Sequence, residues 1–269
     1  MHGLRLERIR ASARYADGSF HNLHPVSPGL KKGTVAPTLK EYLCGGQRRT
    51  PPGPLPSVSP LERWAQPVET GLRATWLGHS TVLVELDGAR VLTDPVWGER
   101  VSPVSFAGPK RFQPVPVSLD ALPALDAVIV SHDHFDHLDV PSLRHIGPEA
   151  TFVTPLGCGK LLRDAGLPNV IELDRWQEAD VHGLRVRLVP AQHWCMRAPW
   201  DRNKVGMRCT SKPRLAMIGC TLLYPAWRPH WRAHSFHLPG DSHATHDSGW
   251  PLYAGRWHAL TALQGHTCR

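Results

Sequence analysis

At 269 residues with 41% hydrophobic content, the chain is long enough to bury a sizeable core and suits one principal domain. No apolar run approaches the ~18–20 residues that a membrane-spanning helix requires, and the six cysteines are scattered without a C-x-x-C pair, so neither a transmembrane helix nor a disulfide framework is expected. The net charge of +8 favours phosphate-bearing partners such as an anionic lipid surface or nucleic acid. The basic start, Met1 to Arg10, is not followed by an apolar segment, so no secretory signal is expected and a cytoplasmic location is the default.

Residues 1 to about 70 are rich in Pro, Gly, Arg and Ser and show no sustained period, which predicts an irregular arm. From Leu72 the pattern alternates. Ala74–Gly78, Thr81–Leu86 and Ala89–Asp94 read as strands, and Asp87-Gly88 between the last two is a strong hairpin signal. Ala127–Val130 is an unbroken, β-branched run, as expected of a strand covered on both faces. Thereafter Pro141–Ile146 predicts a short helix, Thr151–Thr154 a strand, Cys158–Asp164 a helix closed by Gly166, and Val170–Leu173 a strand. Leu184–Val189 alternates again and leads into Pro190-Ala-Gln-His193. Strands and helices that alternate after a β-hairpin predict a layered α/β sandwich.

Ser131-His-Asp-His-Phe-Asp-His-Leu-Asp139 directly follows the buried run. Imidazoles and carboxylates are preferred ligands of zinc-like cations, and this loop packs His132, His134, Asp136 and His137 into six residues. His132 and His134 suit one ion, and Asp136 with His137 suits a second. A third histidine for the first ion must come from elsewhere, and His193 at the end of another strand is well placed.

His132-Asp-His-Phe-Asp-His137 resembles the signature of the metallo-β-lactamase fold. Further segments are similar to its N-acyl-phosphatidylethanolamine phospholipase D-like branch: Trp76–Glu85, Leu92-Thr-Asp-Pro95, Ser105–Phe112, Pro155-Leu-Gly157, Glu172-Leu-Asp174, Ala191-Gln-His-Trp194 and Asp201–Lys204. The resemblance spans roughly Ala13 to Lys204. It implies an αββα sandwich with two zinc ions at one edge, His132, His134 and His193 on the first, and Asp136 and His137 on the second. It also implies that Asp136 orients or deprotonates the attacking water, and that Asp94 and His79 orient ligands from behind. The implied activity is phosphodiester hydrolysis on a phospholipid, with peripheral membrane contact and no role for nucleic acid as partner. Alternatives on the same metals are a lactonase, a nucleic-acid phosphodiesterase, or an inactive metal-binding remnant.

Past Lys204 the character changes: Val205 to Arg269 has no glutamate, two aspartates (Asp241 and Asp247), and no clear helical or strand period. The domain therefore reads as residues 71–204, followed by a diverged or out-of-frame tail, 205–269, that leaves the second half of the sandwich incomplete. The family resemblance implies two further ligands after His193, a bridging aspartate and a last histidine. Asp241 in Gly-Asp-Ser arrives later than that spacing, and His258 and His266 lack the surrounding motif.

Overall fold

The computed structural model describes residues 2–21, 33–46, 50–104, 106–189, 193, 195–198 and 221–225. Asp241, His258 and His266, and the tail apart from 221–225, lie outside the described residues.

The arm is less irregular than its composition predicts. It forms helix α1 (His2–Ala11), a two-residue hairpin of β1 (Tyr15–Ala16) and β2 (Ser19–Phe20), helix α2 (Val35–Cys44) and the single turn α3 (Leu61–Trp64). The missed helix α1 is explained by tertiary contacts rather than local pattern. Arg5 reaches the buried carboxylate of Glu172 and the carbonyl of Gly157, and Arg8 reaches the carbonyl of Glu172. Ile9 packs with Phe20 and Leu156 in a small apolar cluster.

The principal sheet takes the order β3 (Leu72–Gly78), β4 (Thr81–Leu86), β5 (Ala89–Thr93), β6 (Ala127–Ile129), β7 (Phe152–Pro155), β8 (Val170–Leu173). The first three strands are antiparallel and the last four parallel. Asp87 and Gly88 both adopt positive φ, as a two-residue hairpin turn requires, and Leu86 faces Ala89 across it. Strand β6 is joined to β7 through α4 (Val140–Ile146) and β7 to β8 through α5 (Gly159–Asp164). Parallel strands cannot be joined by tight turns, so these crossovers follow from the pairing.

A second, antiparallel sheet has the order β11 (Thr221–Pro225), β10 (Leu184–Leu188), β9 (Glu178–Val181). Strand β9 was not read from the sequence, although His182 and Gly183 repeat the positive-φ pair of the first hairpin. Strand β11 lies in the segment that showed no strand period and pairs with β10 along its whole length.

The period of two along each strand builds the layers. Val82, Val84 and Leu86 of β4 share a core with Ile129, Val153 and, from the second sheet, Val181, Leu184, Val186 and Leu188. The opposite face, through Val128, Val130 and Phe152, packs on Leu143 of α4 and Leu162 of α5. Helices, sheet and second sheet thus give three successive layers of the metallo-β-lactamase αββα sandwich, and β6 is buried on both faces, as its unbroken apolar run predicts.

Candidate metal centre

The ends of β5 and β6 carry the site. Asp94, just past β5, is buried and held at φ +40°, a left-handed conformation that aspartate tolerates better than most residues. Its carboxylate accepts hydrogen bonds from the Ser131 amide (2.6 Å) and the Ser131 hydroxyl (2.7 Å), and lies 2.7 Å from His137 Nδ1. Thr81 in turn donates to the Asp94 carbonyl. Two strand ends are tied together, and the imidazole of His137 is fixed with Nε2 pointing away from Asp94.

Two groups of ligand-type atoms result, each lying within 4.8 Å of one another: His132, His134 and His193 in one, and His79, Asp136 and His137 in the other. In the first, His134 Nδ1 lies 2.9 Å from His132 Nε2 and 3.1 Å from His193 Nε2. The rings of His132 and His137 lie 4.0 Å apart centroid to centroid, so the two groups adjoin. In the second, His79 Nε2 is 3.1 Å and His137 Nε2 3.8 Å from Asp136 Oδ2.

Burial and the neighbouring imidazoles disfavour charge in the first group. His132 is driven far below the usual histidine pKa, first by burial and then by the proximity of His137 and His193. Burial, reinforced by His193, lowers His134 to about 4, and His193 is also lowered, chiefly by burial. His137 goes the other way: burial opposes its charge, but the hydrogen bond and charge of Asp94 outweigh that and raise its pKa. Asp136 is kept ionised, first by its hydrogen bond to His79, against burial, and then by the charge of His137.

The five residues expected to ligate metal, His132, His134, Asp136, His137 and His193, are therefore brought together, in the division the loop suggested. Asp94 meets His137 at Nδ1, on the side of the ring away from Nε2. His79 lies with its Nε2 3.1 Å from Asp136 Oδ2, within the second group of ligand-type atoms. Two contributors escaped the sequence reading. Arg197 donates from Nη1 to the carbonyls of Asp133 and Leu138, both at 2.8 Å, and its guanidinium lies 3.9 Å over the Phe135 ring. A lone arginine in a polar segment gives no such signal. Ser131 was visible only as the residue ahead of the motif.

A family model described as a beta-lactamase superfamily domain matches residues 89–225. The chain belongs to the metallo-β-lactamase superfamily. An N-acyl-phosphatidylethanolamine-hydrolyzing phospholipase D of Caenorhabditis elegans is 43% identical over 147 residues, which is 50% of this chain and 41% of that protein. An uncharacterized protein of Mycobacterium tuberculosis is 44% identical over 188 residues, 68% of this chain and 50% of that one. The chain spans about half the length of these relatives. Among solved structures, an isothiocyanate hydrolase from Delia radicum gut bacteria is 25% identical, with 45% of this chain and 48% of that chain covered and a TM-score of 0.38.

The donors of this superfamily member fit a metal ion. Three ring nitrogens converge on one another in the first group, and a neutral imidazole carries a single N–H, which cannot serve every such contact. A cation at their centre would be faced by three lone pairs. The second group adds a carboxylate to two imidazoles, a donor set suited to divalent transition metals.

Proposed function

We propose that the protein is a zinc-dependent phosphodiesterase of the phospholipase D type, acting on N-acylated phosphatidylethanolamines at a membrane surface. The observation that carries this reading is the pair of adjoining ligand groups at the ends of β5 and β6. His132, His134 and His193 would hold one zinc ion, and Asp136 and His137 the other, with His79 beside them. Zinc bound there supplies a Lewis acid for a phosphoryl oxygen and lowers the pKa of water.

The chain's own residues do the positioning. Asp94 fixes the His137 ring by its bond to Nδ1, and Arg197 fixes the loop by bonding carbonyls on both sides of Asp136. Asp136, as a carboxylate, accepts hydrogen bonds only, and so can orient the water that attacks phosphorus. His79 fixes that carboxylate in turn. The products would be phosphatidic acid and an N-acylethanolamine, from cleavage of the bond between phosphorus and the ethanolamine oxygen. The similarity to the nematode phospholipase D and the net positive charge support the lipid substrate. Among the described residues no helix is long and apolar enough to cross a membrane, which accords with peripheral contact.

Elemental mass spectrometry of purified, zinc-supplemented protein, alongside hydrolysis of N-acylated phosphatidylethanolamine, a lactone and a β-lactam, tests this. Two zincs per folded chain and release of phosphatidic acid are expected. Lactone or β-lactam turnover without phosphodiester cleavage would defeat the substrate assignment, and fewer than two zincs without turnover would point to a metal-binding remnant.

A further inference from the structure

The connection between β5 and the rest of the sheet contains a closed hairpin that the metal centre does not use. The amide of Val101 donates to the Pro109 carbonyl (3.1 Å), the amide of Arg111 to the Glu99 carbonyl (2.7 Å), and Arg100 and Lys110 form an antiparallel bridge. Gly108, at φ +100°, is required at this crossing: a Cβ there would lie 2.6 Å from that of Ser102. The root is locked beside the metal centre. Arg111 donates to the Val96 carbonyl (2.7 Å), and its Nη1 lies 3.1 Å from where a Cβ would stand on Gly78, next to His79.

This fixed hairpin holds apolar side chains outward. Phe106 is 82% exposed, Phe112 59% and Val104 38%, and Trp76, whose indole donates to the His79 carbonyl, is 47% exposed. Isolated exposed apolar residues are ordinary, but several on one hydrogen-bonded hairpin mark a contact surface. Its charge is also biased: with Arg111 turned inward onto the Val96 carbonyl, Arg100 and Lys110 against Glu99, which Lys110 pairs, leave a net +1. Aromatic side chains set among cations suit an interface that is apolar in depth and anionic at its face.

We propose that the hairpin of residues 99–112 is an interfacial anchor that seats the metal centre against an anionic phospholipid bilayer. The assignment rests on the phospholipase reading for its choice of surface, and it names the element through which substrate is reached. A lipid in a bilayer presents its phosphodiester only at the headgroup plane, so an anchor rooted beside His79 brings the site to that plane.

Flotation of the full-length protein with phosphatidylcholine vesicles, with and without phosphatidylglycerol, tests this. The wild type is expected to float with both, more strongly with phosphatidylglycerol. F106S/F112S should partition at least about tenfold more weakly, while F106L/F112L and V58S, the last at an exposed position on the arm, should bind as wild type. Melting by circular dichroism shows whether each variant is folded. Equal flotation of F106S/F112S and wild type, or no flotation of the wild type, would overturn the anchor. So would a dimer on gel filtration that the serine variant abolishes without any vesicle binding, because the surface then joins two copies. Wild-type turnover of a soluble phosphodiester is measured separately: its absence, with hairpin-dependent flotation intact, defeats the phospholipase reading and leaves the anchor standing.

Discussion

The carboxylate of Asp94 and the imidazole of His137, 43 residues apart in sequence, meet at 2.7 Å, so that the end of one strand sets the ring orientation in the loop that follows its neighbour. Asn at position 94 keeps the left-handed backbone accessible and retains an acceptor, but loses the charge. D94N is expected to fold and to bind metal about 10- to 100-fold more weakly, the usual cost of removing a group behind a ligand. Competition with a chromophoric chelator would measure it, and unchanged affinity would show that Asp94 serves only to tie the strands.

Arg197 is expected to act through the loop it grips. R197K keeps the positive charge but not the planar fork that spans two carbonyls and stacks on Phe135. Reduced zinc retention, with a lower kcat on a soluble phosphodiester and little change in KM, is the expected outcome. A change confined to melting temperature would assign Arg197 to stability alone.

The two ligand groups should fail separately. H193A removes one of three imidazoles from the first group and leaves the second intact, and is expected to hold about half the zinc of the wild type by elemental analysis. H79A tests whether its imidazole ligates or merely braces Asp136: full zinc content with weakened turnover favours bracing, and a lost ion favours ligation.

Glu85 makes stability depend on acid. Burial raises its pKa, but hydrogen bonds from Arg73 and Arg90 and their charges more than offset this, and the net shift is downward. Because the folded pKa lies below the ordinary glutamate value of 4.5, the contribution is fully present above that pH and is lost as pH falls through the lowered folded value. E85Q should cost about 3 kcal/mol at neutral pH, and the gap to wild type in thermal melts should narrow below pH 4.5. A pH-independent gap would place the cost in packing.

Gly159 admits no side chain. A Cβ there would stand 2.4 Å from Cδ of Glu172, whose carboxylate already accepts from the amides of Gly157 and Gly159 and from Arg5 and Arg163. G159A is expected to destabilise by about 1–3 kcal/mol by forcing that carboxylate aside, measured by urea unfolding. A neutral result would mean that Glu172 has room to shift.

What the sequence made legible follows from what is local. The alternation of β4 and β5, the Asp87-Gly88 turn and the apolar run of β6 each encode their element within a few residues, and the His132–His137 loop carries four of five expected ligands in one stretch. His193 was found by chemistry, because a three-histidine group needed another member. Helix α1 was not legible: its order comes from arginines that meet Glu172 far along the chain. Strand β9 was missed because Glu178-Ala-Asp-Val181 exposes polar residues and buries little beyond Val181. Arg197 was invisible for the same reason as α1, since its partners are backbone carbonyls some sixty positions away.

The clamp between Arg5 and Glu172 has a kinetic meaning. Its partners are 167 positions apart, and Glu172 belongs to the last strand of the principal sheet, so α1 leaves the ribosome before that sheet yet can dock only after most of it exists. Contacts of such long sequence separation form late and slow the search for the native state. Helix α1 is thus a latch on a finished sheet rather than a seed for it, and protection of its amides reports that the edge strand β8 is in place.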